Sequence, residues 1–416
     1  MLDRDPATTS VAVAEPLTSP SRLLTAARRL PWWGAVLALY GLSRVFSTAI
    51  LFVLYRVAAT APGQYADGYV DGGSSKGFFG FLGTIWDARY YVQIAQHGYP
   101  HQLPVATDGS VQPNAWAFLP AFPWATRILA QITGWDTAAV GVGVATVFGA
   151  LAALMLHRLL RLRVDELGAL WGTVFFVFGP MAFVLQVGYA ESMFLFLMFT
   201  GLWALMTRRY VTLMWCGVVA AFTRPGALAL ALALLVVVVV RFWKERDDFP
   251  KTERASAVFA GVVMGAAGLA WPLIAAGITG DPDAYLKTEM SWWVQVLGFE
   301  PKFVPLTPWF IMLVHFLGIL GAVVVLAIAA LWIYGMRKPS LRRLGLEVRA
   351  YLTSFALYLL AVFLPQQSIA RLIMPLAPLV AVDSITHRPA LRRMVLASAL
   401  AFQVSAAVTL WLTGPP

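Results

Sequence analysis

Apolar residues in this chain gather into long runs separated by short polar turns. The runs fall near 34–56, 137–157, 167–186, 190–206, 211–222, 226–242, 255–278, 308–335, 349–365, 371–386 and 391–412. Most approach the ~20 residues that an α-helix needs to cross a bilayer, so the pattern predicts about eleven membrane helices. The run at 211–222 is too short to cross alone. The Thr223-Arg224-Pro225-Gly226 break that follows it predicts a half-helix or tight hairpin buried among neighbours. The stretch 115–133 is apolar but holds Pro120, Pro123 and Arg127, and is expected to be an amphipathic or re-entrant element rather than a crossing. No repeat of fixed period or heptad seam is present, and the valine run at 236–240 is membrane-helix filler.

Charge placement orients the helices. Residues 1–30 are polar, small and proline-containing, without a signal-peptide core, and are expected to form a flexible cytoplasmic tail. Arg22, Arg28 and Arg29 precede the first run, which places its start in the cytoplasm by the positive-inside rule. Alternating sides from there puts 21 of the 31 Lys and Arg on the cytoplasmic face, in clusters around 158–163, 208–209, 241–254, 337–349 and 388–393. A full crossing at 115–133 would send every later cluster outside, so the rule favours the partial element. Residues 31–416 then form a single transmembrane domain with a first outer loop at 57–136 and a second at 279–307. Short outer turns fall around 187–190, 223–226 and 366–370.

Composition agrees with a chain that lives in lipid. It is 59% hydrophobic and only 12% charged, with a mean hydropathy of +0.72, whereas soluble domains carry about a quarter charged residues. The net charge of +10 is scattered in short clusters and forms no continuous basic face, which argues against a nucleic-acid partner. Cys216, the sole cysteine, lies inside an apolar run; this excludes disulfides within the chain and cysteine metal clusters.

The unpaired chemistry concentrates in the outer segments. In Trp86-Asp87-Ala88-Arg89-Tyr90-Tyr91-Val92-Gln93-Ile94-Ala95-Gln96-His97-Gly98-Tyr99-Pro100, a helix would line Asp87, Tyr90, Tyr91 and Ile94 along one face. A carboxylate beside aromatic rings near a membrane suits general-base work on a sugar hydroxyl; the plainer alternative is a helix cap or a pair with Arg89. Arg371 ends the turn Pro365-Gln366-Gln367-Ser368-Ile369-Ala370-Arg371, where its fork could hold a phosphate with Gln366 and Gln367 as neutral donors, or simply snorkel to headgroups. Glu191 and Arg224 stand at breaks between apolar runs and are expected to pair with each other, holding the floor of a site. Arg44, isolated inside the first helix, is expected to face the bundle towards Glu191. The second outer segment, Asp281 to Trp293, offers Lys287 and Glu289 as headgroup contacts and Trp292 for stacking or anchoring. His97 is a proton relay, an acceptor contact or a plain hydrogen-bonder.

Trp86-Asp87, Tyr91, Ile94-Ala95 and Gly98-Tyr99 resemble the first-loop motif of the PIG-V-like family, the GPI mannosyltransferase 2 type of GT-C glycosyltransferase. Ala117-Phe118-Leu119-Pro120-Ala121-Phe122-Pro123 is similar to its Phe-Pro-aromatic-Pro segment, Tyr189-Ala190-Glu191-Ser192 to its Tyr-Thr-Glu-Ser turn, and Thr223-Arg224-Pro225 to its Thr-Arg-Pro break. The resemblance is strong from about 34 to 240. Two departures bear on the acceptor: Pro100-His101-Gln102 stand where an acidic residue often follows Gly-Tyr, and Ala190 replaces threonine.

The resemblance implies an all-α polytopic GT-C-type bundle with amphipathic helices in the first outer loop. It implies an inverting transfer of a sugar, by family default mannose, from a polyprenyl-phosphate donor to a lipid or lipid-anchored glycan, with Asp87 as catalytic base. Substrate-binding or supporting roles then fall to Trp86, Tyr91, His97, Glu191, Arg224, Lys287, Glu289 and Trp292, and phosphate binding to Arg371, Gln366 and Gln367. No cofactor is expected, and no metal, because a monophosphate leaving group has less need of one and the chain offers no compact ligand cluster. High Ala, Val, Leu and Arg usage leans towards a bacterial plasma membrane with a periplasmic site. The competing classes are a lipid or sugar transporter or flippase, disfavoured by the absence of paired repeats, and a catalytically silent scaffold, disfavoured by the presence of Asp87.

Overall fold

The computed structural model describes residues 30–60 and 77–413. The expected tail with its three arginines and the stretch 61–76 of the first outer loop lie outside the described residues. In chain order the helices are α1 (Trp32–Thr60), α2 (Gly77–Thr84), α3 (Ala88–His97), α4 (Ala121–Thr133), α5 (Thr137–Leu160), α6 (Glu166–Val177), α7 (Glu191–Met206) and α8 (Tyr210–Ala221). There follow α9 (Leu228–Lys244), α10 (Lys251–Thr279), α11 (Ala284–Leu297), α12 (Pro308–Leu317), α13 (Ile319–Arg337), α14 (Gly345–Val362) and α15 (Pro389–Thr413). Among the described residues the regular structure is otherwise short helical turns and one isolated β-bridge, so the fold is all-α.

Among the described residues six helices, α1, α5, α10, α13, α14 and α15, are long and apolar enough to cross a membrane. Their outward faces carry exposed Val262, Leu269, Leu273, Ile319 and Leu331, a surface suited to lipid rather than water. This is a polytopic membrane bundle, but six such helices stand where about eleven were expected. The runs at 190–206 and 226–242 give α7 and α9, of 16 and 17 residues, just short of that length, and breaks within other runs shorten or divide their helices. The 167–186 run stops at Val177, turns at Gly179-Pro180 and resumes as a 3₁₀ segment, Ala182–Gln186. The 308–335 run breaks at Gly318, whose φ of 60° no helix interior holds. The 371–386 run contains Pro375 and Pro378, which lack the N–H that continues a helix, and it winds as short turns around the 3₁₀ segment Met374–Ala381. The helix at 210–221 is 12 residues, about 18 Å, short of a crossing. Residues 115–133 form a 3₁₀ turn and the 13-residue α4. Trp124, Ile128 and Ile132 of α4 are exposed while Phe122 and Thr126 are buried, so it turns an apolar side outward.

Helix starts follow local chemistry. Asp136 and Asp165 cap α5 and α6 by accepting from the amides of Ala139 and Gly168. The main core runs through α1, α5, α7, α9 and α14, and α5 packs along α7 at its centre. Arg44 does not reach for Glu191. It donates to the carbonyl oxygens of Ala182 (2.7 Å) and Val177 (3.2 Å) and lies over the Tyr40 ring. The break in the 167–186 run brings those two carbonyls within reach of the buried guanidinium, which donates to both. Cys216 is buried as a small hydrophobe.

Basic residues and chain breaks occupy opposite ends of several helices. α7 begins at Glu191 and ends just before Arg208. α8 begins after Arg209 and ends before Arg224, while α9 begins after Arg224 and ends at Arg241 and Lys244. α14 carries Arg349 near its start and leads to Arg371 beyond its end.

Candidate active site

Asp87 is positioned by a sharp reversal between α2 and α3. Gly83, in the last turn of α2, lets that helix touch the Ala138 backbone of α5; a Cβ there would strike the Ala138 carbonyl. The amide of Gly188 donates to the Leu82 carbonyl at 3.1 Å, which ties the end of α2 to the Tyr-Ala-Glu-Ser turn. Trp86 then adopts a φ of 52°, a left-handed conformation costing a bulky residue roughly 1–3 kcal/mol. Its indole is buried and packs on Phe183, which keeps the turn in place. The reversal aims Asp87 into the bundle. Its amide donates to the Tyr189 hydroxyl at 3.0 Å, and its carboxylate makes no cap bond to α3.

Four of the residues singled out from sequence meet there. Arg371 Nη2 donates to Asp87 Oδ2 at 2.5 Å, and Arg371 Nη1 to Glu191 Oε1 at 2.9 Å. Arg224 Nη1 pairs with the same Glu191 oxygen. The result is a chain of alternating charge, Asp87, Arg371, Glu191, Arg224, with all four side chains nearly or largely buried. Two carboxylates and two guanidiniums balance, which is what allows them to be held away from water. Glu191 and Arg224 pair as expected, and Asp87 takes Arg371 rather than Arg89. Arg89 instead stacks over the Tyr90 ring and donates to its hydroxyl. Arg371 is tied to two carboxylates before any ligand arrives.

Aromatic rings wall the cluster. Tyr91 is buried between Phe118, Phe122 and Tyr189, so the first-loop motif, the Phe-Pro segment and the Tyr-Ala-Glu-Ser turn touch. Arg371 lies over the Tyr189 ring at 5.2 Å. Tyr189 was not among the site residues expected from sequence, although it stands in one of the motifs; nothing in its spacing tells that its hydroxyl receives the Asp87 amide.

The second outer segment reaches the site through α11. Asn114 anchors that helix by donating to Thr288 Oγ1 at 3.0 Å. The side chains at 285, 289 and 292 fall on one face, and Trp292 meets Tyr90 edge-on at 5.9 Å. The Tyr285 hydroxyl lies near the Glu289 carboxyl, and Arg224 is near enough for its charge to act on it. Burial dominates over both, and the Glu289 carboxyl is pushed up to about 7. Tyr358 of α14 completes this corner, its ring against Gly226. No pattern in the sequence separates Tyr285 and Tyr358 from ordinary helix aromatics.

Other expected site residues lie apart. Lys287 is exposed and pairs with Asp281 at 2.6 Å. His97 is exposed at the far end of α3, ten residues from Asp87. Gln366 is half-buried and Gln367 exposed on the turn leading to Arg371. Among the described residues no group of three or more His, Cys, Asp and Glu side chains is placed to hold a metal ion.

Fold and site together define a polytopic α-helical membrane protein with a charge-balanced carboxylate and arginine cluster at one end of its bundle. The chain belongs to the mannosyltransferase (PIG-V) family, whose model matches residues 47–277 and so takes in Asp87, Glu191 and Arg224. It is 29% identical over 174 residues to the GPI alpha-1,6-mannosyltransferase 2 of Mus musculus, covering 37% of this chain and 32% of that protein. It is 31% identical over 135 residues to the Cricetulus griseus protein of the same name, covering 30% and 25%. The chain thus spans about a third or less of the length of the curated relatives it matches. Among solved structures, it is similar to an oligosaccharyltransferase from Archaeoglobus fulgidus in complex with Zn and sulfate (TM-score 0.43, 14% identity, 79% of this chain and 48% of that one). A second is the archaeal oligosaccharyltransferase AglB from the same organism, with an inhibitory peptide and a dolichol-phosphate (TM-score 0.44, 13% identity, 92% and 56%).

Proposed function

We propose that the chain is an inverting glycosyltransferase of GT-C type that moves a sugar, mannose by its family's name, from a polyprenyl-phosphate donor to a lipid or lipid-anchored glycan. The observation that carries this reading is the meeting of Asp87 with Arg371 in a buried cluster to which three of the family-like motifs contribute Asp87, Glu191 and Arg224. An acceptor hydroxyl and a phosphorylated sugar need a carboxylate and a guanidinium side by side, and this is where the chain puts them.

Asp87 takes the proton of the acceptor hydroxyl. The acceptor oxygen bonds to the anomeric carbon as the bond from that carbon to the phosphate oxygen breaks, with inversion. The electron pair leaves with the polyprenyl phosphate. Before the donor arrives, the Asp87 carboxylate is engaged by Arg371. A guanidinium has five N–H donors, so Arg371 can turn part of its fork to the incoming phosphate while keeping Glu191, and Asp87 is thereby released for the hydroxyl. Glu191 and Arg224 hold the floor and fix the position of Arg371. Basic residues at the opposite helix ends support an outer-face site by the positive-inside rule.

The test is transfer from radiolabelled polyprenyl-phosphate mannose by the purified protein. Asp87→Asn is expected to lower turnover by roughly 10²- to 10⁴-fold with the fold intact. Unchanged transfer removes Asp87 as the base, and movement of lipid-linked sugar across vesicles without transfer replaces the enzyme with a transporter.

A further inference from the structure

We propose that the face of α11 bearing Tyr285, Glu289 and Trp292 is a pyranose-binding subsite, with Glu289 accepting hydrogen bonds from a pair of sugar hydroxyls. The inference rests on the transferase reading and adds to it the group that recognises the sugar.

Three observations lead there. First, Trp292 stands edge-on to Tyr90 and near Phe118, at 5.9 and 6.3 Å between ring centres, and Tyr90 stacks on Phe118 at 4.6 Å. Tyr90 is itself covered by Phe118 and by the Arg89 guanidinium, so the ring left for an apolar sugar face is that of half-buried Trp292, packed against Tyr90 three residues beyond Asp87. Second, Glu289 sits one helical turn from Trp292, also partly open, so a hydroxyl edge and a ring face are presented together. Third, Glu289 takes no part in the balanced ion chain. The titratable groups facing it are Tyr285 on its own helix, Tyr358 from α14 and Arg224 from the break before α9. Placing a carboxyl deep beside two phenols is costly in the empty protein. Hydroxyl donors from a sugar would satisfy both of its oxygens and remove that cost. The carboxyl rises to about 7 in the empty site chiefly through burial, so binding that needs its ionised form weakens as pH falls below about 7.

The sugar belongs either to the donor or to the acceptor. Equilibrium binding to the full-length protein in nanodiscs separates these, with polyprenyl-phosphate mannose and octyl α-mannopyranoside as the two probes and polyprenyl phosphate as the sugar-free control. At pH 8, Glu289→Gln and Trp292→Ala are each expected to weaken one of the two sugar probes by roughly 10- to 100-fold. Affinity for the control should not change. Wild-type affinity for the same probe should fall from pH 8 to pH 6, and that of Glu289→Gln should not. Equal affinities of wild type and both variants for both sugar probes overturn the subsite, as does an equal loss for polyprenyl phosphate. Sugar binding with these dependences in a protein that transfers nothing keeps the subsite and removes the transferase.

Discussion

Glu191 is the hinge of the ion chain, because both Arg224 and Arg371 reach its Oε1 atom. Glu191→Gln keeps the shape and removes the charge, which leaves two guanidiniums facing each other with Asp87 as the remaining anion. Side-chain exposures of 4% for Glu191, 9% for Arg371 and 11% for Arg224 mean that water screens little of this. Two like charges roughly 6 Å apart repel by about 3 kcal/mol at an effective dielectric of ~20, in line with the 3–5 kcal/mol typical for breaking a buried pair. In a chain of 416 residues that corresponds to a Tm lowered by roughly 3–6 °C. Arg224→Met alone is milder, since Arg371 still holds Glu191, and should cost about 1–3 kcal/mol. The double variant removes one charge of each sign and leaves the Asp87 and Arg371 pair intact. It should therefore be more stable than the sum of its parts predicts, by about 2–3 kcal/mol. Tryptophan fluorescence during thermal unfolding in detergent, read for the two singles and the double, gives the coupling. Additivity to within about 0.5 kcal/mol, or a Glu191→Gln protein melting with the wild type, would refute the view that this cluster is held together by its alternating charges.

Gly83→Ala should destabilise by about 1–3 kcal/mol through the collision with the Ala138 carbonyl, and should reduce transfer further by tilting the reversal that carries Asp87; circular dichroism melts and the transfer assay check both. Arg241→Ala, which removes the bonds of this buried arginine to Glu253, Tyr210 and the Asp248 carbonyl, should cost about 3 kcal/mol with little change in transfer, read in the same melts. The Glu289 carboxyl rises from 4.5 to about 7 on folding, so the native state binds the extra proton between those values. That contribution to stability is complete below 4.5 and is lost as pH rises through about 7. The Tm of the wild type should consequently fall over this window relative to Glu289→Gln, and parallel curves would show that the group is not buried as described.

The runs that became α1, α5, α10 and α15 were readable because length and apolarity alone decide a membrane helix. Where the runs misled, backbone chemistry inside them decided: Gly318 and the two prolines at 375 and 378 interrupt stretches whose hydropathy is continuous. The short helix ending at Ala221 was legible for the opposite reason, its break being written in Thr223-Arg224-Pro225-Gly226. In the site, the charged positions could be found because lipid makes a stranded charge expensive, but their pairing could not. Asp87 and Arg371 are 284 residues apart and Glu191 and Arg371 are 180, and no local spacing encodes which arginine reaches which carboxylate. Arg44 shows the same limit: an isolated intramembrane cation pointed to an acidic partner, and the carbonyls it serves are brought within its reach by the break in a later run.

An empty cluster with equal numbers of anions and cations has no spare positive charge to give. A phosphodiester brings one negative charge into it, and on the proposed reaction the departing monoester approaches two. Asp87, in taking the acceptor proton, gives up its own negative charge at the same step, so the cluster turns net positive as the leaving group gains its second charge and the total stays the same. A cluster that is neutral at rest would in this way lend the departing phosphate one positive charge, and take it back when the proton is passed on to solvent.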